Sequence, residues 1–190
     1  MHQRQRNHQI IMVFSAIFAV SLGIALALAA QENEQVVEVK SALARDAVRP
    51  GETFKAAVIL KVQAGYHIND NAPLDEFMFP TSVSIEDGPE FEVVEITYPT
   101  GRRARYSYSE TELVVYDGEA VLGLLLKAKD SLPPGAKTVK ATLSYQACDN
   151  TSCLPPKELA FEIAVPVAKT GGTDIHPEIF GKLRFKSLQK

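Results

Sequence analysis

Between residues 36 and 167 no stretch repeats its apolar residues at the spacing of a helix face. Short runs of alternating and β-branched residues recur instead, each closed by turn chemistry. Phe54, Ala56, Val58, Leu60 and Val62 alternate with Lys55 and Lys61 after an Arg49-Pro50-Gly51 turn. Ala57 and Ile59 between them are also apolar, so the middle of this strand is expected to be covered on both faces. Further strands are read at 36–43, 81–85, 91–98, 112–116, 119–128, 139–148 and 159–167. Asp117-Gly118 between two apolar runs reads as a two-residue hairpin, because glycine takes the positive φ of a type I′ turn at little cost. Pro133-Pro134-Gly135 closes the strand before it, since proline cannot donate to a ladder. Nothing supplies the helical crossovers that parallel strands need. The expected fold is therefore all-β, an antiparallel immunoglobulin-like β-sandwich, and 46% hydrophobic residues suffice for its core.

Ahead of this region, residues 10–30 carry no charge and follow Arg4 and Arg6. That is an export signal. Small residues at Ala27 and Ala29 suit cleavage after Ala29, and the length also suffices to span a bilayer, so a removed signal peptide and a retained signal anchor both stay open. Either way the chain from Gln31 onward lies outside the cytoplasm, periplasmic or extracytoplasmic. Removing Arg4 and Arg6 from the 20 basic residues leaves 18 against 23 acidic ones, a net −5, and no general field to attract nucleic acid. Three regions result: a signal or anchor at 1–30, a sandwich domain at 31–168, and a basic tail at 169–190, flexible or partly helical, with Lys182, Arg184, Lys186 and Lys190.

The chemistry concentrates at Tyr145-Gln146-Ala147-Cys148-Asp149-Asn150-Thr151-Ser152-Cys153-Leu154-Pro155-Pro156. Two cysteines in an exported chain point to a disulfide. As a staple it is weak, because closing so short a loop contributes only about 2 kcal/mol by chain entropy. A pair on a polar turn at the rim of a sheet suits attack by another protein's thiolate instead. Spacing alone does not say which sulfur is attacked. Asp149 beside Cys148 disfavours a thiolate, Lys157 partly offsets it, and neither cysteine stands at a helix N-terminus. The pair reads as an acceptor of electrons that waits for an activated partner.

Three blocks resemble the amino-terminal domain of the thiol:disulfide interchange protein DsbD, a periplasmic immunoglobulin-like redox domain. They are Gly65-Tyr66-His67-Ile68-Asn69, the stretch from Tyr106 to Tyr116-Asp117-Gly118, and most specifically Leu143-Ser144-Tyr145-Gln146-Ala147-Cys148 with Cys153-Leu154-Pro155-Pro156. The resemblance implies that Cys148 and Cys153 form the exchanging disulfide, with Cys153 in the mixed disulfide and Cys148 resolving it. It implies a cap loop at Arg105-Tyr106-Ser107-Tyr108-Ser109, with Tyr106 or Tyr108 as the cap. It further implies thioredoxin-like redox partners, such as a disulfide isomerase or a thioredoxin of cytochrome c maturation. A membrane electron donor on a separate chain is also expected. The sequence departs from the family in having Arg103, Ala104 and Arg105 where acidic residues precede the cap aromatic. The four residues between its cysteines are about one fewer than in the family.

His67 is read either as an aid to proton transfer near the sulfurs or as a partly buried residue at a strand end, and Tyr66 as wall or core of the site rim. No cofactor and no metal are expected: Cys148, Cys153, His67 and His176 are too few convergent ligands. The absence of Cys-x-x-Cys and Gly-x-Ser-x-Gly sets aside a thioredoxin motif and a hydrolase elbow. Asp75-Glu76, Glu110 and Glu112 read as solvated carboxylates. The expected function is periplasmic thiol:disulfide exchange through Cys148 and Cys153. The alternative is a non-catalytic binding module whose disulfide is structural.

Overall fold

The computed structural model describes residues 35–75, 77–86 and 88–189. The apolar segment at 10–30 and Glu76 lie outside them, and among the described residues no helix is long and apolar enough to cross a membrane. In chain order the strands are β1 (Val37–Leu43), β2 (Thr53–Val62), β3 (His67–Asn69), β4 (Ser82–Ile85), β5 (Phe91–Thr97), β6 (Arg102–Ala104), β7 (Leu113–Tyr116), β8 (Glu119–Ala128), β9 (Gly135–Tyr145), β10 (Ala147–Cys148) and β11 (Lys157–Val167). A one-turn helix, α1 (Pro177–Phe180), follows.

All the strand pairs are antiparallel. One sheet runs β1-β2-β8-β5, a second β11-β9-β4, and a small third β10-β3-β7-β6. Alternation decides what lies between the two larger sheets. Val58, Leu60, Leu122, Leu124 and Leu126 of the first meet Val83, Val139, Leu143, Ile163 and Val165 of the second in one apolar cluster. This is a β-sandwich with the expected all-β, immunoglobulin-like architecture. Each fully buried aliphatic side chain in it is worth roughly 1.5–3 kcal/mol against exposure.

The middle of β2 is covered on its outer side as well, with Ala57 fully buried. The cover comes from the stretch read as a basic tail. Beyond Ala168, Asp46 accepts hydrogen bonds from the N–H and hydroxyl of Thr173 at 2.7 and 3.0 Å, and Ile175 N–H donates to Ala44. Phe180 and Phe185 are buried, and Glu95 accepts from the N–H groups of Lys186 and Ser187, both at 2.8 Å.

The Asp117-Gly118 hairpin is corrected. Gly118 has the positive φ of 62° that such a turn needs. Yet β7 pairs with β3 and β6 while β8 pairs with β2 and β5, so the dipeptide is a corner between two sheets. Turn chemistry fixes where the chain reverses, and packing chooses the partner strand. The strand expected at 139–148 is likewise split. At Gln146 the chain leaves the register with β11, and Ala147–Cys148 joins β3 in the small sheet. The strands β3 and β6, three residues each, are too short to show a period.

Candidate functional site

The small sheet builds the site. Ala147 pairs with Ile68 and Cys148 with His67 across β10 and β3. The chain then reverses through Asp149 to Ser152, and Cys153 returns as the antiparallel neighbour of Cys148. That register brings the two Cα atoms to 3.9 Å, with the sulfurs bonded at 2.08 Å.

The reversal is set by Asp149. Its Oδ1 accepts from the N–H groups of Thr151 and Ser152, both at 2.7 Å, and from the Thr151 hydroxyl at 2.8 Å, an Asx turn. These donors hold its carboxyl below the usual carboxylate range. Leu154 N–H donates to Ala147 at 2.8 Å and Gln146 Nε2 to the Leu154 carbonyl at 3.1 Å, which ties down the chain after Cys153. Cys148 is fully buried and Cys153 is half-buried, so of the two sulfur-bearing residues Cys153 faces the solvent side.

The loop 105–109 follows β6 and comes back onto this sheet. The Tyr106 ring stacks on the His67 imidazole with centroids 3.9 Å apart and planes 10° off parallel. Tyr108 Oη lies 2.7 Å from His67 Nε2, and the two tyrosine rings are 5.6 Å apart and also near-parallel. Ser107 Oγ donates to the Asn150 carbonyl at 2.7 Å, joining the loop to the turn between the cysteines. At its base Arg102 forms an ion pair with Asp117, and Arg103 one with Glu112 at 3.0 Å. Of the two cationic residues in the departing stretch, Arg103 is thus paired, while Arg105 is exposed.

Burial dominates the electrostatics. It lowers His67 to about 4, so the imidazole is neutral at neutral pH, and it raises the Tyr108 hydroxyl to about 12. Tyr66 is half-buried against the main core and, with Lys61, His67, Tyr106 and Asn150, lines an open depression of about 590 Å³. The site residues expected from the sequence, Cys148, Cys153, Tyr66, His67, Tyr106 and Tyr108, come from three separated segments into this one region. The ties that Ser107, Asn150 and Arg102 make are not visible in the sequence, because no spacing relates residues 43 or 15 positions apart. Among the described residues no three His, Cys, Asp or Glu side chains cluster as metal ligands. His176 points to Glu178, at 3.3 Å, in α1.

Residues 33–164 match the family described as thiol:disulfide interchange protein DsbD, N-terminal. No curated protein matches the chain. Among solved structures, the reduced N-terminal domain of DsbD from Neisseria meningitidis is similar at 17% identity and TM-score 0.44, over 74% of this chain and 94% of that one. The N-terminal periplasmic domain of ScsB from Proteus mirabilis is similar at 11% identity and TM-score 0.47, over 75% of this chain and 50% of that one. A cohesin-dockerin complex from Clostridium thermocellum is similar at 16% identity and TM-score 0.38, over 70% of this chain and all of that one.

Proposed function

The chain belongs to the DsbD N-terminal family and is a thiol:disulfide exchange domain, and we propose from that premise that Cys153 is the sulfur through which it exchanges. The family is periplasmic and works with thioredoxin-like redox proteins. The observation that carries the assignment is the difference in exposure, with Cys153 half-buried and Cys148 fully buried.

A donor thiolate attacks Cys153 Sγ, the Cys148–Cys153 bond breaks, and Cys148 leaves as a thiolate that takes up a proton. The donor's second thiol then attacks the mixed disulfide and releases Cys153, leaving the donor oxidised and this domain reduced by two electrons. In the second half, Cys153 attacks an acceptor's disulfide and Cys148 resolves the product, which restores the original bond and delivers the two electrons. Tyr106 and Tyr108 form the cap over the pair between encounters, and Tyr66 is part of the wall beside it. Donor and acceptors are thioredoxin-like proteins on other chains, fed by a membrane electron donor. Residues 10–30 deliver the domain to the periplasm, where it is soluble after cleavage or held at the inner membrane.

The test is trapping. A thioredoxin-like probe that has lost its resolving cysteine, with its remaining cysteine activated as a mixed disulfide with thionitrobenzoate, should form a stable mixed disulfide with Cys148→Ser, releasing thionitrobenzoate, and none with Cys153→Ser. The opposite pattern would reverse the assignment. A reduction potential near roughly −200 to −250 mV marks an exchangeable pair, whereas one well below about −300 mV would make the bond a structural staple.

A further inference from the structure

We propose that His67 is the positioning residue of the cap, holding the loop 105–109 shut through Tyr106 and Tyr108 as long as its imidazole is neutral. The proposal deepens the reading of 105–109 as a cap and rests on it. The His67 side chain touches both tyrosines, stacked on one and hydrogen-bonded to the other. It also sits opposite Cys148 in the β3–β10 ladder, so the cap is held against the strand that carries the disulfide. The backbone of His67 is fixed by that ladder and its residue is 3% exposed, which leaves the loop as the part free to move.

The groups facing the imidazole come from every neighbouring element: Tyr106 and Tyr108 in the cap, Arg102 in β6, Asp117 at the corner after β7, and Asp149 in the turn between the cysteines. Burial outweighs the pull of Asp117 and Asp149 toward a charged imidazole, and Arg102, ion-paired with Asp117, opposes that charge as well. A protonated imidazole is therefore stable only with water at its edge, which requires the cap to lift. Burial lowers His67 to about 4 with the cap closed, and an opened cap returns it toward its ordinary value near 6.5. By linkage, acid favours the open form. Even partial relief of that shift enriches it roughly tenfold between pH 7 and pH 5. Ser107, which donates to Asn150, is a second tie that does not titrate.

The experiment is the rate at which a phosphine reductant cleaves Cys148–Cys153 in the folded chain, divided by the rate in the urea-unfolded chain at the same pH. The division cancels the reagent's own titration. The wild-type ratio should be low at pH 7 and rise roughly tenfold by pH 5. In His67→Phe, which keeps the ring but neither titrates nor hydrogen-bonds, the ratio should start several-fold higher and stay flat. Tyr108→Phe should be raised at pH 7 yet still respond to acid, as should Ser107→Ala. A flat wild-type profile overturns the proposal, and so does an acid rise that survives in His67→Phe. If His67→Phe does not fold, an unchanged pH 7 ratio in Tyr108→Phe overturns it and a raised one supports it. Exchange with a thioredoxin-like donor at pH 7, measured on the same samples, reads the redox assignment separately, because a domain can exchange whether or not His67 holds its cap.

Discussion

Tyr145, three residues before Cys148, is among the most deeply buried large side chains, and its hydroxyl has no hydrogen-bond partner among the described residues. An unsatisfied buried hydroxyl costs about 1–3 kcal/mol, while the ring around it contributes packing. Tyr145→Phe should therefore leave stability unchanged or raise it by about 1 kcal/mol, read as an equal or higher urea midpoint with unchanged m-value. A clear loss would mean that the hydroxyl is bonded. At this scale the cysteines were legible because export, polarity and a short spacing all bear on the same dozen residues. The Asp149 turn was half legible: the side chain was read for its charge beside Cys148, whereas its oxygen is engaged by Thr151 and Ser152. The contact of His67 with Tyr108 was not legible, since it spans 41 positions and exists only once β3 and the loop 105–109 are docked.

Between elements, the segment after β11 is joined to the first sheet at a glycine. A Cβ at Gly123 would stand 2.7 Å from Phe185 Cζ and 2.7 Å from Thr97 Cγ2, so the aromatic ring occupies the space a side chain would need. Lys55 lies over the same ring at 5.8 Å. Gly123→Ala should cost about 1–3 kcal/mol by overpacking. Phe185→Ala should cost up to about 3 kcal/mol by lost burial. Together they should cost less than the sum, because removing the ring removes half of the clash, and a double-mutant cycle on urea midpoints measures the difference. Full additivity would show that the segment does not sit there. Reading 169–190 from its basic residues left out Phe180 and Phe185, which charge counting does not weigh. Strand positions, by contrast, were legible from alternation in β2 and β8. Strand partners were not, as the Asp117-Gly118 corner shows, because a turn signal carries no information about which sheet the next strand joins.

For the whole molecule, a domain that cycles between disulfide and dithiol has to stay folded in both. The core lies mainly between the two larger sheets, and the short loop closed by the cysteines adds an entropy worth only about 2 kcal/mol. Reduction should lower Tm by roughly 5–8 °C and leave the far-UV circular dichroism native. Loss of the fold on reduction would place the bond among structural staples. Acid acts on the same molecule through His67. Its folded value, about 4, lies below the unfolded value near 6.5, so between these the unfolded chain binds more protons. Its contribution to stability is complete above about pH 6.5 and is lost as pH falls toward 4. Because the ring edge borders an open depression, the shift is discounted to about 1–2 kcal/mol between pH 7 and pH 5. Asp70, whose carboxyl burial raises, works in the opposite sense as acid is added, so the His67→Phe comparison is what isolates the imidazole. Urea unfolding at pH 7 and pH 5 should show that loss in the wild type and almost none in His67→Phe. An equal loss in both would assign the acid sensitivity to the carboxylates instead.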